Sequence, residues 1–150
     1  MTRLQIISLN VFALLVTATG AVYAWMKYFM KSDDPFAVVN HPWQSFVLDA
    51  HVVVAPLLLF SLGLVYGTHV TAKLGSKTIT RRKSGLAALA MIVPMVLSGY
   101  LLQVLTNEPA RQAAAVAHWI SSALFVLGFG VHIALKARNG NGKEAIGNRQ

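Results

Sequence analysis

Four histidines lie inside two strongly apolar stretches of the chain, at His51, His69, His118 and His132. His51 and His69 are 18 residues apart, or five turns of 3.6 residues, so a continuous helix places both on one face. His118 and His132 are 14 residues apart, within about 40° of a common face. Imidazole nitrogens bind iron, zinc and copper. Each stretch therefore predicts a helix that presents two potential metal ligands to one neighbour.

The elements that carry these histidines are predicted to be membrane-spanning helices. The chain has 150 residues, of which 55% are hydrophobic and only 12% charged. Its four long apolar stretches each approach or exceed the roughly 20 residues that cross a bilayer, and they cover residues 4–30, 46–72, 86–105 and 113–135. The alternating pattern of a membrane barrel is absent, and helices satisfy their own backbone hydrogen bonds in lipid. The sequence predicts an all-α membrane protein with four transmembrane helices.

Short connections at residues 31–42, 73–84 and 106–111 favour antiparallel neighbours in an up-down bundle. Asn107 is predicted to cap the fourth helix, with Pro109 in its first turn. The first apolar stretch is interpreted as a retained helix because it is too long for the core of a signal peptide. The Gly- and Asn-rich tail at 139–150 is predicted to be disordered and cytoplasmic, which leaves residues 1–138 as one transmembrane domain.

The net charge of +8 is distributed in a way that indicates membrane orientation rather than nucleic-acid binding. The predicted topology places most of the basic residues on one side of the membrane: Arg3, Lys73, Lys77, Arg81, Arg82, Lys83, Lys136, Arg138, Lys143 and Arg149. The other side receives Lys27, Lys31 and Arg111, together with Asp33, Asp34, Asp49 and Glu108. The positive-inside rule then predicts a multi-pass protein of the bacterial cytoplasmic membrane with both termini in the cytoplasm. The basic loop also suits contact with anionic lipid, and docking of an acidic partner is the alternative.

Helices two and four run in the same direction in this topology, so the histidines pair by depth. His51 and His118 form the predicted outer pair, and His69 and His132 form the inner pair. The separations within the helices differ, at about 27 Å and about 21 Å, and a kink at Pro56 could absorb part of the mismatch.

Two imidazoles on opposite sides of a plane suit the axial positions of haem iron, and bis-histidine ligation favours electron transfer over oxygen chemistry. The chain contains no cysteine, which excludes the covalent attachment used by c-type haem. We therefore expect two b-type haems held by coordination between helices two and four. His41, in a polar segment, is interpreted as loop structure.

Four glycines are candidates for haem contact, because a flat macrocycle between helices requires positions without a side chain. Gly67 and Gly130 each lie two residues before an inner histidine. Gly20 and Gly99 each follow a hydroxyl residue on helices one and three. Ordinary close packing of helices is the alternative explanation.

The four histidines, with Gly20 and Gly99, resemble the four-helix di-haem b cytochromes. These include the small bacterial cytochrome b-561 type and, more distantly, the haem-bearing membrane subunits of formate dehydrogenase and nickel-iron hydrogenase. The resemblance covers about residues 5–137. It implies that the four histidines are axial ligands and that electrons pass between the quinone pool and a redox partner protein.

Three functions remain open at this point. The first is an electron relay that forms a subunit of a larger respiratory-type complex. The second is a self-contained oxidoreductase that acts on quinone and a small oxidant such as superoxide, drawn to the outer surface by Lys27, Lys31 and Arg111. The third is a structural membrane protein, or one that binds zinc or copper, although such sites usually gather three or four ligands at one point.

Overall fold

The computed structural model describes residues 2–67 and 82–147 of the chain, and these residues form four helices and no strand. The helices are α1 (Arg3–Tyr28), α2 (Gln44–Val65), α3 (Arg82–Val104) and α4 (Glu108–Gly147). All four contain a segment long and apolar enough to cross a membrane; in α3 it is Leu86–Val104 and in α4 Glu108–Ala134. Over the described residues, the prediction of an all-α chain with four helices long and apolar enough to span a membrane is confirmed.

The helix bounds differ from the predicted apolar stretches mainly at charged ends. α3 begins at Arg82, inside the basic segment assigned to the second loop, and α4 begins at Glu108, ahead of its apolar stretch and directly after the predicted cap Asn107. Hydropathy marks only the part of a helix that lies in hydrocarbon, whereas backbone hydrogen bonding continues into the polar flanks. For the same reason α4 continues to Gly147, through most of the tail for which the sequence predicts disorder. The end of the second predicted span, residues 68–72, lies outside the described part.

Helix starts follow the capping chemistry of the sequence. The Asn107 side chain accepts a hydrogen bond from the backbone N–H of Ala110 at 3.0 Å, so the predicted N-cap of α4 is confirmed. α1 has a capping box in which Thr2 and Gln5 bond each other's backbone N–H groups at 3.2 and 2.9 Å. These bonds satisfy backbone donors that the first turn of each helix cannot pair internally.

Two helical hairpins account for the described residues. The N-terminal hairpin contains α1 and α2, which contact each other along their lengths, and the C-terminal hairpin contains α3 and α4. Within the first hairpin the start of α1 meets the end of α2, where the Gln5 side chain donates to the carbonyl of Leu64 at 3.3 Å. At its other end the Asn40 side chain donates to the carbonyl of Lys27 at 2.9 Å. The two helices are therefore antiparallel, as the short connection predicts. The single up-down bundle of all four helices stays a prediction.

Alanine and serine occupy half of the buried positions in the described spans. The buried residues of the described spans include Ala13, Ala24, Ser61, Ala88, Ser98, Ala114 and Ser121. In the C-terminal hairpin a Cβ at Gly128 would lie 3.4 Å from that of Ala88, an ordinary contact distance, so α3 and α4 approach closely at this point. Small residues at helix contacts are typical of membrane proteins, where close backbone approach replaces the hydrophobic effect as the source of attraction.

Large apolar side chains point away from the hairpin contacts. Phe60 of α2 is 67% exposed, Leu14 of α1 is 70% exposed and Leu127 of α4 is 66% exposed. Only between 11% and 17% of each candidate span is buried inside the structure. Contiguous apolar surface of this extent is not tolerated in water. A lipid bilayer is the environment that these helices suit.

Candidate metal-ligand site

His51 of α2 is half-buried against α1, where its ring is held by hydrogen bonds. Its Nδ1 lies 3.1 Å from the backbone carbonyl oxygen of Val16 and 3.1 Å from the hydroxyl oxygen of Thr19. The Thr19 hydroxyl itself donates to the carbonyl of Leu15 at 2.8 Å. The hydroxyl therefore accepts from the imidazole and donates to the backbone, and the ring is fixed against α1 at one edge.

His118 of α4 has the same surroundings in the C-terminal hairpin. Its Nδ1 lies 2.9 Å from the carbonyl oxygen of Met95 and 3.3 Å from the hydroxyl oxygen of Ser98. The Ser98 hydroxyl donates to the carbonyl of Pro94 at 2.6 Å, as Thr19 does to Leu15. Met95 itself is buried, at 9% exposure.

These contacts determine which ring nitrogen carries the proton. A carbonyl oxygen only accepts hydrogen bonds, so Nδ1 of His51 must donate to Val16, and Nδ1 of His118 must donate to Met95. In a neutral imidazole the proton then resides on Nδ1, and Nε2 bears the lone pair that binds a metal. Histidines that ligate metals characteristically donate their other N–H to a carbonyl or carboxylate, which orients the ring and raises its basicity. In both hairpins the ring is thus oriented by a backbone carbonyl of the neighbouring helix.

Gly20 and Gly99 make room for these two rings. A Cβ at Gly20 would lie 2.9 Å from Cε1 of His51, closer than real Cβ atoms approach. A Cβ at Gly99 would lie 3.2 Å from Cε1 of His118, a tight contact. The sequence predicts that these glycines leave space for a macrocycle, and in the structure the space directly beside each one is occupied by an imidazole.

Gly67 and Gly130 are in different surroundings from Gly20 and Gly99. Within the described part of the chain, a Cβ at either position would meet no heavy atom within 4 Å. Their role in haem contact stays a prediction.

One member of the predicted inner pair lies in the described part of the chain. His132 lies on α4, half-buried, on the same continuous helix as His118. His69 lies outside the described residues, as do the other residues of 68–81, which include most of the basic loop. The outer pair, His51 and His118, joins residues of the two separate hairpins, and that pairing also stays a prediction.

No group of three or more His, Cys, Asp or Glu side chains that could hold a metal occurs within residues 2–67 and 82–147. No known family model, curated protein or solved structure matches the chain.

The His41 ring accepts a hydrogen bond at Nδ1 from the backbone N–H of Trp43 at 3.2 Å, in the loop before α2, which supports its interpretation as loop structure. The carbonyls of Val16 and Met95 were not predicted from the sequence. The only available signal is the hydroxyl-glycine pair three and four residues after each carbonyl, because those three positions share one face of a helix.

Proposed function

We propose that this protein is a di-haem b-type cytochrome that relays single electrons across the membrane between the quinone pool and a redox partner, as a subunit of a larger complex. The observation that carries the proposal is the pair of equivalent histidines, His51 and His118. Each donates from Nδ1 to a carbonyl of the partner helix, and in this neutral tautomer Nε2 is the unprotonated ring nitrogen that a metal would bind. In this proposal they ligate the outer haem, and His69 and His132 ligate the inner one.

The residues around each histidine have defined tasks in this proposal. The carbonyls of Val16 and Met95 fix the tautomer and draw electron density toward the ring, which strengthens Nε2 as a donor and favours the more highly charged state of a bound iron. Gly20 and Gly99 allow each ring to lie against the neighbouring backbone. When bound, haem supplies an iron that alternates between ferric and ferrous states, and bis-histidine ligation leaves no coordination position for a substrate.

The membrane and its orientation are part of the same proposal. Four apolar helices support a bilayer environment, and the excess of Lys and Arg at one end of the sequence topology favours the bacterial cytoplasmic membrane with both termini inside. A relay in this position would accept electrons from quinol at one leaflet. Its partner would be a protein, because the short loops leave little room for a separate substrate domain.

The proposal is tested by haem quantification on detergent-purified protein, with oxidised and dithionite-reduced visible spectra. We expect about two b haems per chain with low-spin bands, in line with two bis-histidine sites. His51→Ala and His118→Ala should each lose one haem, the same one. His41→Ala is the matched control, because this loop histidine bonds only a local backbone N–H among the contacts described for it, and it should keep both.

Three results would contradict the proposal. Protein that folds with native helix content but binds no haem would remove its basis. Retention of both haems in His51→Ala and His118→Ala would remove these residues as ligands. Loss of different haems in the two variants would show that they do not share a site.

A further inference from the structure

The segment between α1 and α2 exposes apolar side chains beside a membrane-spanning hairpin. Residues 35–39 read Pro-Phe-Ala-Val-Val, between two aspartates and an asparagine. Phe36 is 89% exposed and Val38 is 99% exposed, among the highest values for large apolar residues in the described chain. These side chains make no contribution to the packing of the hairpin, so their apolar character needs another explanation.

Hydrogen bonds hold this segment in place at the end of the hairpin. The Asn40 side chain donates to the carbonyl of Lys27 at the end of α1, and the Asn40 backbone N–H donates to the buried side chain of Gln44 at 3.0 Å. Asp34 accepts the backbone N–H of Phe36 at 2.9 Å and forms a turn that displays the ring. The apolar surface therefore has a fixed position relative to the ends of both helices.

Aromatic residues surround the same end of the hairpin. Trp25 stacks on Phe29 with ring centroids 4.9 Å apart, and Trp43 meets Phe46 edge-on at 5.9 Å. The Lys27 ammonium lies over the Tyr23 ring, 5.8 Å from its centroid. Tryptophan, tyrosine and snorkelling lysine at helix ends are typical of the boundary between lipid headgroups and hydrocarbon. Residues 35–39 are thus held at the same end of the hairpin as these aromatic residues.

We infer that residues 35–39 insert into the headgroup and upper acyl region of the leaflet at this end of the hairpin. Phe36 and Val38 bury their side chains in lipid, as the apolar face of an interfacial helix does. Lys31, Asp33 and Asp34 precede the segment and remain in water, so the chain enters the interface at Pro35. The loop then anchors the N-terminal hairpin at a fixed depth, independently of any cofactor.

The inference is tested by site-directed spin labelling, for which the chain is well suited because it contains no cysteine. Phe36→Cys and Val38→Cys each accept one nitroxide label in the full-length protein reconstituted into liposomes. Asp33→Cys provides the aqueous reference in the same loop. Phe60→Cys, on the exposed face of α2, provides the lipid reference.

The readout is the accessibility of each label to oxygen, which concentrates in lipid, against a water-soluble nickel chelate. We expect the oxygen-to-nickel ratio at positions 36 and 38 to lie several-fold above that at position 33 and to approach the ratio at position 60. Ratios at 36 and 38 equal to that at position 33 would overturn the inference. Labels at positions 36 and 38 that are accessible to the nickel chelate in liposomes, and lose that accessibility when a partner protein is added, would overturn the inference in favour of protein docking.

Discussion

Replacing Gly20 with alanine tests whether the His51 ring is rigidly held. The new Cβ would lie 2.9 Å from Cε1 and 3.2 Å from Nδ1 of the ring, whereas ordinary contact begins at 3.4 Å. The ring must therefore move by about 0.5 Å, and it is bonded at Nδ1 to both Val16 and Thr19. A side chain that is free at its far end would adjust at little cost, but this one must lengthen its hydrogen bonds.

The expected magnitude follows from two opposing effects. Alanine is about 1 kcal/mol more favourable than glycine inside a helix. Forcing extra atoms into a packed contact costs about 1 to 3 kcal/mol. For Gly20→Ala the second effect should be the larger one, with a net loss of about 1 kcal/mol in the free energy of unfolding.

Two other glycines provide matched controls within the same molecule. At Gly99 the corresponding approach to the ring of His118 is 3.2 Å, so a shift of about 0.2 Å suffices and the two effects should nearly cancel. At Gly63 of α2 a Cβ would meet no described heavy atom within 4 Å, so alanine should stabilise the helix by up to about 1 kcal/mol. The predicted order of stability among the variants is Gly63→Ala, then Gly99→Ala, then Gly20→Ala.

Unfolding of the purified variants in one detergent, followed by helical circular dichroism, measures this order. Equal stability of Gly20→Ala and Gly63→Ala would refute the reasoning, because it would mean that the ring of His51 yields freely. A second readout is haem content, which should fall in Gly20→Ala if the ring displacement reaches Nε2. The stability order itself does not depend on whether haem is the ligand.

Two further predictions concern hydrogen bonds. Thr19→Val removes the hydroxyl that lies 3.1 Å from Nδ1 of His51 and should lower the unfolding free energy by about 1 kcal/mol; Ser98→Ala should cost less, since its hydroxyl lies 3.3 Å from the ring of His118. A larger loss for Ser98→Ala in the same unfolding assay would contradict this ranking. Asn107→Ala should cost about 1 kcal/mol through loss of the α4 cap, while Asn107→Asp, which can still accept the bond, should stay close to the native protein.

The four spans could be predicted from the sequence because hydrophobic length is a direct physical requirement of the bilayer. The cap at Asn107 could be predicted for a similar reason, since the side chain acts on a backbone only three residues away. The capping box of Thr2 and Gln5 is also local, and its Thr-x-x-Gln spacing was a signal that the sequence offered and the prediction missed. Local chemistry of this kind is readable without a fold.

The surroundings of the histidines were predictable only in part. The pairing of a hydroxyl residue with glycine, at Thr19-Gly20 and Ser98-Gly99, was visible in the sequence, but its interpretation required the rotation of one helix against another. The acceptors at Val16 and Met95 are backbone carbonyls. Every residue type possesses one, so the residue identities in the sequence do not distinguish these two positions. Which carbonyl faces a histidine depends on the packing of antiparallel helices, and periodicity alone does not determine it.

The repetition of this arrangement in the two hairpins is itself an argument about function. A carbonyl, a hydroxyl and a glycine occupy three positions on one face of α1, and the same three occupy one face of α3. The connections that follow are very different, covering residues 29–43 in one hairpin and 105–107 in the other. Loop geometry therefore does not explain why a histidine reaches the same three groups twice.

Close packing alone does not explain the repeated histidine either. An apolar side chain would fill the space beside a glycine and would bring no polar atoms that need hydrogen bonds in lipid. A polar ring in that position is costly unless its N–H is bonded, and in both hairpins the bond leaves the proton on Nδ1 and the lone pair on Nε2. The requirement common to both hairpins is thus an imidazole with a fixed orientation and a fixed tautomer. A histidine that bonds a carbonyl of the neighbouring helix also stabilises the helix contact; the proposed haem sites would in addition use the fixed ring and tautomer, as metal ligation requires.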